Sequence, residues 1–416
     1  MEKRRVVVTG MGCVSPYGIG VDLMWNNLVK GISGIREHNW GEGQHVSKVA
    51  GFVPEDIDVN SYIEPKEAKR LDKSIIYALI AAEEAYKDSM LDMEKEDASQ
   101  VGVFVSTAAG GLVQITEAWD DMKKKGFHKC SPFTVPMMIA NMAAGKISIK
   151  YGCKGPSKAV LSACATGAHS VGDAFRTIQW GEADVMFAGG AEYSVCDFGI
   201  GVFSSARTLS RSLRPAVEVS RPYDKERDGF VLAEGGAILI LEEREHAIKR
   251  GAKIYAEVIG YGQSSDAYDM VAPDPNGNGA ELAIKKCLKE GNKSVEDVDY
   301  INMHGTSTHL GDIAESNTVA RIFGDKEKNT KLCVSSTKSM TGHLLGAAGS
   351  LEAIISIKTM NEGVVPPTMN IVELDPEVAN LDYVANKSKE KEVNVAISNS
   401  FGFGGHNAVL MFEKHQ

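Results

Sequence analysis

One cysteine stands where a protein thiol can act as a nucleophile. Cys164 lies in the segment LSACATGAH, in which the apolar residues 159–161 lead into a helix of small side chains. A thiol at a helix N-terminus meets free N–H groups and the positive end of the helix dipole, which favour the thiolate. The small neighbours Ala163 and Ala165 leave room for a substrate. A buried, unreactive cysteine remains the alternative, because most cysteines are of that kind.

Two histidines and a lysine each follow a predicted strand. His304 opens HGTSTHLGD after the strand YINM, and Lys338 and His343 lie in SSTKSMTGH after the strand LCVS. Because α/β sheets bind ligands at the carboxyl ends of their strands, these side chains are expected to lie beside a ligand. Imidazoles in that position can donate hydrogen bonds to a developing oxyanion. A fourth segment, NSFGFGGHN, offers glycine backbone that a ligand can approach closely. One such histidine alone is more often structural, but the set together favours an active site.

The elements that must hold these groups alternate between strands and helices. The predicted strands include residues 5–9, 101–105, 184–188, 237–242, 254–259, 300–303, 332–335, 393–398 and 408–412. The predicted helices include residues 68–89, 165–179, 279–290, 311–323 and 347–362. Several strands are apolar on both faces, as in a sheet that helices cover on each side. The alternation predicts an α/β architecture with layered sheets.

A faint internal repeat links two of the helices. Residues 164–181 and residues 346–363 are both small-residue helices of similar length, and Gly167 and Gly349 fall at equivalent steps. A duplicated domain would have its seam near residues 245–260, where a charged helix and turn are predicted. On the residues alone, duplication stays open.

Length, charge and cysteine content restrict the class of protein. The 416 residues suit two domains. The net charge of -10 argues against a wholly basic nucleic-acid-binding surface. The sequence contains no run of 18 apolar residues, so no membrane-spanning helix is predicted. Seven cysteines without CxxC spacing argue against a disulfide framework or a zinc site and indicate a reducing compartment. We therefore expect a cytoplasmic protein, or an organelle-matrix protein if a transit peptide has been removed.

The N-terminal segment VVVTGMGCVS looks like an incomplete dinucleotide-binding fingerprint. Gly10 and Gly12 are present, but Ser15 stands where the third glycine belongs. No acidic residue ends a second strand nearby, so the pattern is weak. We interpret the glycines as a tight turn after the first strand.

Taken together, the motifs resemble the β-ketoacyl-acyl carrier protein synthases, the condensing enzymes of fatty acid synthesis. They are most similar to the elongating synthase II type. The resemblance runs from VVVTGMGCVSPYG to NSFGFGGHN and includes RPYDKERDGFVLAEGG, HGTST and SSTKSMTGH. It implies a thiolase-like fold, in which two duplicated α/β halves form a five-layer α-β-α-β-α sandwich, and usually a homodimer. We place the half with the nucleophile at residues 1–252 and the half with the histidines and the lysine at residues 253–416.

The resemblance also implies roles for single residues. Cys164 becomes the nucleophile, His304 and His343 the catalytic histidines and Lys338 the conserved lysine. The backbone N–H groups of Cys164 and Phe401 become the oxyanion donors, and the ring of Phe401 becomes a gate to the acyl pocket. The remaining implied roles are a structural acid beside the site (Glu352), phosphopantetheine ligands (Thr306 and Thr308), walls of the acyl tunnel (Ala108 and Ala109) and carrier-protein docking (Lys66, Lys69, Arg70, Lys129 and Arg207).

The activity that the resemblance implies is acyl transfer by decarboxylative Claisen condensation. Malonyl-acyl carrier protein would react with an acyl group held on Cys164, which lengthens the chain by two carbons. No metal and no resident cofactor are expected, since phosphopantetheine arrives on the acyl carrier protein. A ketosynthase of a polyketide or specialised acyl pathway remains the alternative, because it has the same fold and catalytic groups. Two positions depart from the family: His309 replaces a usual Pro, which can alter the rigidity of its loop, and His406 replaces a frequent Thr.

Overall fold

The computed structural model describes residues 3–38 and 47–415. Most of the long strands are buried along nearly their whole length, as expected for strands that are covered on both faces. In chain order the strands are β1 (Val6–Ser15), β2 (Gly18–Ile19), β3 (Arg36–Glu37), β4 (Val49–Ala50), β5 (Val101–Ser106), β6 (Ser157–Lys158), β7 (Val185–Glu192), β8 (Gly235–Glu243), β9 (Ala256–Ser265), β10 (Tyr300–Asn302), β11 (Cys333–Ser335), β12 (Val364–Val365), β13 (Lys389–Glu390), β14 (Val395–Gly402) and β15 (His406–Glu413).

The helices fill the connections between these strands. In chain order they are α1 (Val21–Val29), α2 (Pro65–Ala68), α3 (Lys73–Ser89), α4 (Leu112–Lys125), α5 (Thr134–Met138), α6 (Met142–Tyr151), α7 (Thr166–Gln179), α8 (Asp197–Ser205), α9 (Arg244–Lys249), α10 (Asn278–Glu290), α11 (His309–Phe323), α12 (Lys338–Thr341) and α13 (Ala348–Glu362). None of these helices is long and apolar enough to cross a membrane.

One large mixed sheet has a strand order that repeats about its centre. The order is β11-β10-β14-β15-β9-β1-β8-β7-β5-β6, with β2 paired to β1. The first five strands come from the C-terminal half of the chain and the last five from the N-terminal half. Each half carries the same sequence of antiparallel and parallel pairs from the centre outward. The halves join where β1 and β9 pair antiparallel over three residues each, from Val6 to Val8 and from Ala256 to Val258.

Helices cover the two halves of the sheet in layers. Helices α3 and α6 bury apolar side chains against the outer face of the N-terminal half, and α10 and α11 do the same on the C-terminal half. Helices α7 and α13 lie between the halves and are buried on nearly every side, which suits a central layer. The predicted α-β-α-β-α sandwich is therefore confirmed.

The central helices confirm the predicted duplication. Each starts after a short 3-10 turn whose first residue has an unusual positive φ, 51° at Ala163 and 45° at Leu345. The helices meet where Gly167 and Gly349 sit. A Cβ on Gly167 would lie 2.7 Å from the backbone nitrogen of Ser350, and a Cβ on Gly349 would lie 2.7 Å from that of Ala168. Only glycine permits this close approach.

All of the predicted strands and helices are present, with bounds that differ by a few residues at most ends. The exception is the predicted helix 68–89, which is split because Asp72 caps a new helix by accepting a hydrogen bond from the Ser74 N–H. The sequence analysis missed several shorter or more exposed helices, such as α4, which has no buried residue. The predicted boundary between residues 252 and 253 falls in the connection between α9 and β9.

The interpretation of the N-terminal glycines as a turn was wrong. Gly10 and Gly12 lie inside β1, which runs on to Ser15. A Cβ at either glycine would stand 2.2 Å from a carbonyl oxygen of α3, that of Ala85 or Ala81. The glycines therefore let a helix pack directly on the strand.

Candidate active site

Cys164 sits in the strained turn that precedes α7. Ala163, the residue before it, has a φ of 51°, which a residue with a side chain rarely adopts. The turn is held by side chains around it: the Ser162 N–H donates to Oγ1 of Thr166 at 2.9 Å, and Oγ of Ser162 lies 2.7 Å from Nδ1 of His169. Strain of this kind is a common feature of functional turns.

The Cys164 sulfur is almost fully buried, and this changes its protonation. Burial raises the pKa of the Cys164 thiol to about 12, against which the charge of Lys338 and a hydrogen bond from the Phe403 backbone act only in part. Burial therefore opposes the thiolate that the helix N-terminus favours. Desolvation outweighs the helix and the lysine, so the resting group at neutral pH is the thiol.

His304 follows β10 and is held through its backbone. Glu315 of α11 accepts the N–H groups of His304 and Gly305 at 2.7 and 2.8 Å. The carbonyl oxygen of His304 accepts a hydrogen bond from Nζ of Lys338 at 2.7 Å. Nζ also lies 3.5 Å from Nδ1 of the same imidazole. Because an ammonium can only donate, Nδ1 is the acceptor, and the ring proton is placed on Nε2.

His343 follows α12 and faces the other imidazole. Its backbone N–H donates to Val231 at 2.8 Å, and its carbonyl accepts from Ala233 at 2.9 Å. The His304 and His343 rings stand nearly perpendicular with centroids 5.4 Å apart, and Phe230 packs edge-on against His343. Within the described part of the chain, neither ring nitrogen of His343 has a hydrogen-bond partner. Its polar atoms are thus free for a substrate.

Both imidazoles are neutral at physiological pH. Burial lowers the pKa of His304 and of His343 well below 6.5, and the nearby Lys338 charge lowers both further. A neutral imidazole keeps one N–H donor and one acceptor nitrogen. The pair can therefore offer two hydrogen bonds to a developing negative charge.

Lys338 connects His304 to Glu352, which lies on the central helix α13. Its side chain and that of Glu352 are both nearly fully buried and form an ion pair. Burial raises the pKa of Glu352 to about 7, while Lys338 opposes that rise. Together with the bond to the His304 carbonyl, the pair fixes the ammonium beside the imidazoles.

A cavity of about 440 Å³ brings the predicted groups together. Cys164, His304, His343 and Phe401 line it together with Thr306 and Thr308, of which Thr308 is the more exposed. The two threonine hydroxyls lie 3.0 Å apart. The Phe401 ring centroid lies 5.8 Å from that of His304.

The remaining predicted residues lie around this cavity or away from it. Ala108 packs against the apolar cluster that contains Cys164, while Ala109 is part of neither that cluster nor the cavity lining. His309 lies at the mouth, half exposed, 3.8 Å from Asp375, and His406 is exposed at the start of β15. The predicted docking residues are all exposed: Lys66, Lys69, Arg70, Lys129 and Arg207. Of these five, only Arg207 lines the cavity.

Sequence reasoning missed two residues that act directly on this site. Phe403 lines the cavity with Cys164, and its backbone acts to lower the pKa of the Cys164 thiol, yet only its glycine-rich surroundings were noted. Glu315 holds the His304 backbone, and the Nδ2 group of Asn399 donates to it at 3.1 Å. The residues alone did not single out Glu315, because the helix after HGTST also carries Asp312.

Comparison with known proteins is consistent with this geometry. Residues 3–247 match the family model of the beta-ketoacyl synthase N-terminal domain, and residues 255–372 match that of the C-terminal domain. The chain is 44% identical, over 100% of its length and 99% of the relative, to 3-oxoacyl-acyl-carrier-protein synthase 2 of Synechocystis. It is 45% identical, with the same coverage, to the protein of that name from Vibrio harveyi. A ketosynthase solved with the acyl carrier protein of its type II polyketide system superposes with a TM-score of 0.90, at 34% identity and full coverage of both chains.

Proposed function

Because the chain belongs to the β-ketoacyl synthase family, we propose that it lengthens acyl chains by decarboxylative condensation, with the acyl group held on Cys164. It is a condensing enzyme of the 3-oxoacyl-acyl-carrier-protein synthase class, an acyltransferase of fatty acid synthesis. The observation that carries the proposed site is the single cavity into which Cys164 and both neutral histidines open. The polyketide alternative is less well supported, since the polyketide ketosynthase is 34% identical to the chain and the fatty acid synthases are 44 and 45% identical.

The first half of the reaction loads the acyl group. The Cys164 sulfur attacks the thioester carbonyl of an acyl chain on a carrier protein, and a new thioester forms on the enzyme. The proton of the buried thiol ends on the pantetheine sulfur that leaves. We assign the oxyanion to the backbone N–H groups of Cys164 and of Phe401, which lies at the end of β14. These groups can hold it because the Gly402 backbone packs directly on the Cys164 turn.

The second half forms the carbon–carbon bond. Loss of CO2 from a malonyl thioester leaves an enolate, whose oxygen accepts hydrogen bonds from the neutral imidazoles of His304 and His343. The enolate carbon attacks the acyl carbonyl, the carbon–sulfur bond to Cys164 breaks, and the released thiolate takes up one proton from solvent, which balances the charge of the malonyl carboxylate. Lys338 acts by holding Nδ1 of His304 as an acceptor, which directs the Nε2 proton toward the cavity. Apart from that proton, the steps use only groups of this chain and the pantetheine that the substrate carries.

An acyl carrier protein is the proposed partner, as it is for the solved relative. Carrier proteins present phosphopantetheine at the mouth of such a site, where Thr306 and Thr308 offer two hydroxyls. The exposed cations Lys66, Lys69 and Arg70 suit an acidic partner, and the Arg70 guanidinium is fixed over the Phe133 ring at 4.8 Å. Replacing Lys69 and Arg70 with Glu should raise the KM for acyl carrier protein and leave the KM for a small pantetheine thioester unchanged.

A homodimer is proposed from the surface of the N-terminal half. Helix α4 buries no residue in the single chain, and Trp119 on it is 52% exposed. Further exposed apolar side chains on α4, α5 and α8 are Ile115, Val135, Phe198 and Val202. Apolar surface of this extent is typical of an interface. Light scattering should give twice the mass of one chain, and Trp119→Glu should shift it toward the monomer.

The test of the proposed function is product formation from defined substrates. The protein is incubated with acyl- and malonyl-acyl carrier protein, and the β-ketoacyl product is detected by mass spectrometry. Cys164→Ala should form none, while Cys130→Ala, which removes a half-buried thiol outside the cavity, should match the unmodified protein. Equal product from both variants would refute the proposed nucleophile.

A further inference from the structure

A buried arginine links the cavity mouth to the rest of the C-terminal half. Arg227 lies in the segment RPYDKERDGF, and its side chain is 0% exposed. One end of its guanidinium donates from Nη1 to Oδ2 of Asp375 at 2.7 Å and to the carbonyl of Asp224 at 2.8 Å. The segment itself is anchored, since both backbone N–H groups at 372 and 373 donate to the Asp224 carboxylate. The guanidinium thus projects from a fixed support.

The other side of the same guanidinium holds the backbone at the cavity mouth. Nε donates to the Thr308 carbonyl at 3.2 Å, and Nη2 donates to the His309 carbonyl at 2.9 Å. Nε also lies 3.3 Å from Oδ2 of Asp312, one turn into α11. Arg227 therefore sets the position of the residues that begin α11.

The loop that Arg227 holds is one that needs support. Ser307 has a φ of 69°, which a residue with a side chain rarely adopts. Its hydroxyl accepts the Arg221 N–H at 3.0 Å, and its carbonyl accepts the Gly229 N–H at 3.1 Å. Residues 221–230 thus hold the loop by hydrogen bonds at Ser307 as well as at Thr308 and His309. Meanwhile the Thr308 side chain does not cap α11, so that its hydroxyl stays beside that of Thr306 in the cavity lining.

We propose that Arg227 is a positioning residue for the pantetheine arm of the substrate: its guanidinium fork fixes the backbone that presents the Thr306 and Thr308 hydroxyls. This inference rests on the proposed function, in which those hydroxyls bind the arm. Arg227 lines no part of the cavity and acts through the loop alone.

The contacts require the guanidinium of arginine, and the ammonium of lysine cannot replace it. The guanidinium is planar and makes bonds in several fixed directions, here to two carbonyls on one side and to Asp375 and Asp224 on the other. A lysine ammonium keeps the charge opposite the buried carboxylates but cannot span both sides. Arg227→Lys therefore removes the contacts that position the loop while it keeps the positive charge opposite the buried carboxylates.

The test compares two acyl donors that differ only in the arm. The rate constant for acylation of Cys164 is measured by intact mass with an acyl-pantetheine thioester and with the ethyl thioester of the same acyl group, which has no amide to bind. Arg227→Lys should lower the rate constant about tenfold or more for the pantetheine donor and less than twofold for the ethyl donor. Lys225→Gln, on the same segment but paired with Glu373 at the surface, should change neither. Equal losses with both donors would overturn the proposal and indicate a structural role.

A double-mutant comparison shows whether Arg227 acts through the threonines. In a Thr306→Val, Thr308→Val background, Arg227→Lys should cause no further loss with the pantetheine donor. A full additional tenfold loss would overturn the inference. If the threonine variant alone leaves the pantetheine rate unchanged, it is the arm-binding role in the proposed function that fails. Should Arg227→Lys not fold, Asp375→Asn loosens the same fork and must show the same donor-dependent loss at a smaller size, or the proposal is wrong.

Discussion

A single methyl group added at Gly402 should move the Phe401 N–H, one of the two proposed oxyanion donors, away from the Cys164 turn. Gly402 ends β14, between Phe401 and Phe403, and its backbone packs on the nucleophile turn. A Cβ there would lie 2.6 Å from the carbonyl oxygen of Ser162 and 3.1 Å from the backbone nitrogen of Cys164. Since ordinary contact begins at 3.4 Å, the hairpin or the turn must move by about 0.8 Å, the difference between 3.4 and 2.6 Å.

Such a displacement should lower the rate of condensation while the protein still folds cooperatively. The displacement moves the backbone around Gly402 away from the Cys164 turn and so misplaces the Phe401 N–H that is assigned to the oxyanion. The loss of one oxyanion donor costs about 10²–10³ in rate, or about 2.7–4 kcal/mol. The backbone conformation of Gly402 is not of the left-handed kind that favours glycine, so alanine adds no strain of that type.

The assay is kcat/KM for condensation together with the melting temperature. Gly402→Ala should lose about 10²–10³ in kcat/KM while it melts cooperatively. Gly145→Ala is the matched control, because a Cβ there meets nothing within 4 Å and alanine favours its helix. It should keep full activity. A Gly402→Ala protein that is folded and within threefold of the unmodified rate would refute the proposed contact between hairpin and nucleophile.

Three further predictions concern the other groups of the site. His343→Ala should still accept acyl groups on Cys164 but release CO2 from malonyl-acyl carrier protein about 10²–10³ more slowly; normal CO2 release would contradict its role. Alkylation of Cys164 by iodoacetamide, followed by mass, should rise about tenfold per pH unit from pH 7 to 10, because a thiol with a pKa of about 12 gains thiolate throughout that range; a plateau below pH 9 would contradict its burial. Ala108→Phe, beside the apolar cluster that contains Cys164, should shorten the longest acyl chain condensed and spare short ones; equal loss at all lengths, with a change in oligomeric mass, would place Ala108 at the subunit interface instead.

The residues of the proposed active site could be found from sequence because of where strands end. Cys164 precedes a helix, His304 follows a strand, and Lys338 and His343 lie in one recognisable motif after β11; parallel strands bring such ends to one edge of a sheet. The layered fold was equally accessible, since the buried strands are apolar on both faces.

What depended on burial and close packing could not be read in the same way. The pKa of Cys164 is set by how completely the surrounding elements exclude water, and the helix N-terminus alone pointed in the opposite direction. Gly10 and Gly12 suggested a turn because their actual neighbour, α3, is distant in sequence. The Phe403 backbone contact likewise depends on the exact path of a hairpin, which a glycine-rich motif does not specify.

The measurement that tests the central claim most directly is the mass of the enzyme during turnover, resolved to the modified peptide. After treatment with acyl-acyl carrier protein, one acyl adduct should appear on the peptide that contains Cys164, and it should disappear when malonyl-acyl carrier protein is added, as β-ketoacyl-acyl carrier protein forms. An adduct on another cysteine, or β-ketoacyl product from Cys164→Ser at an undiminished rate, would contradict the account.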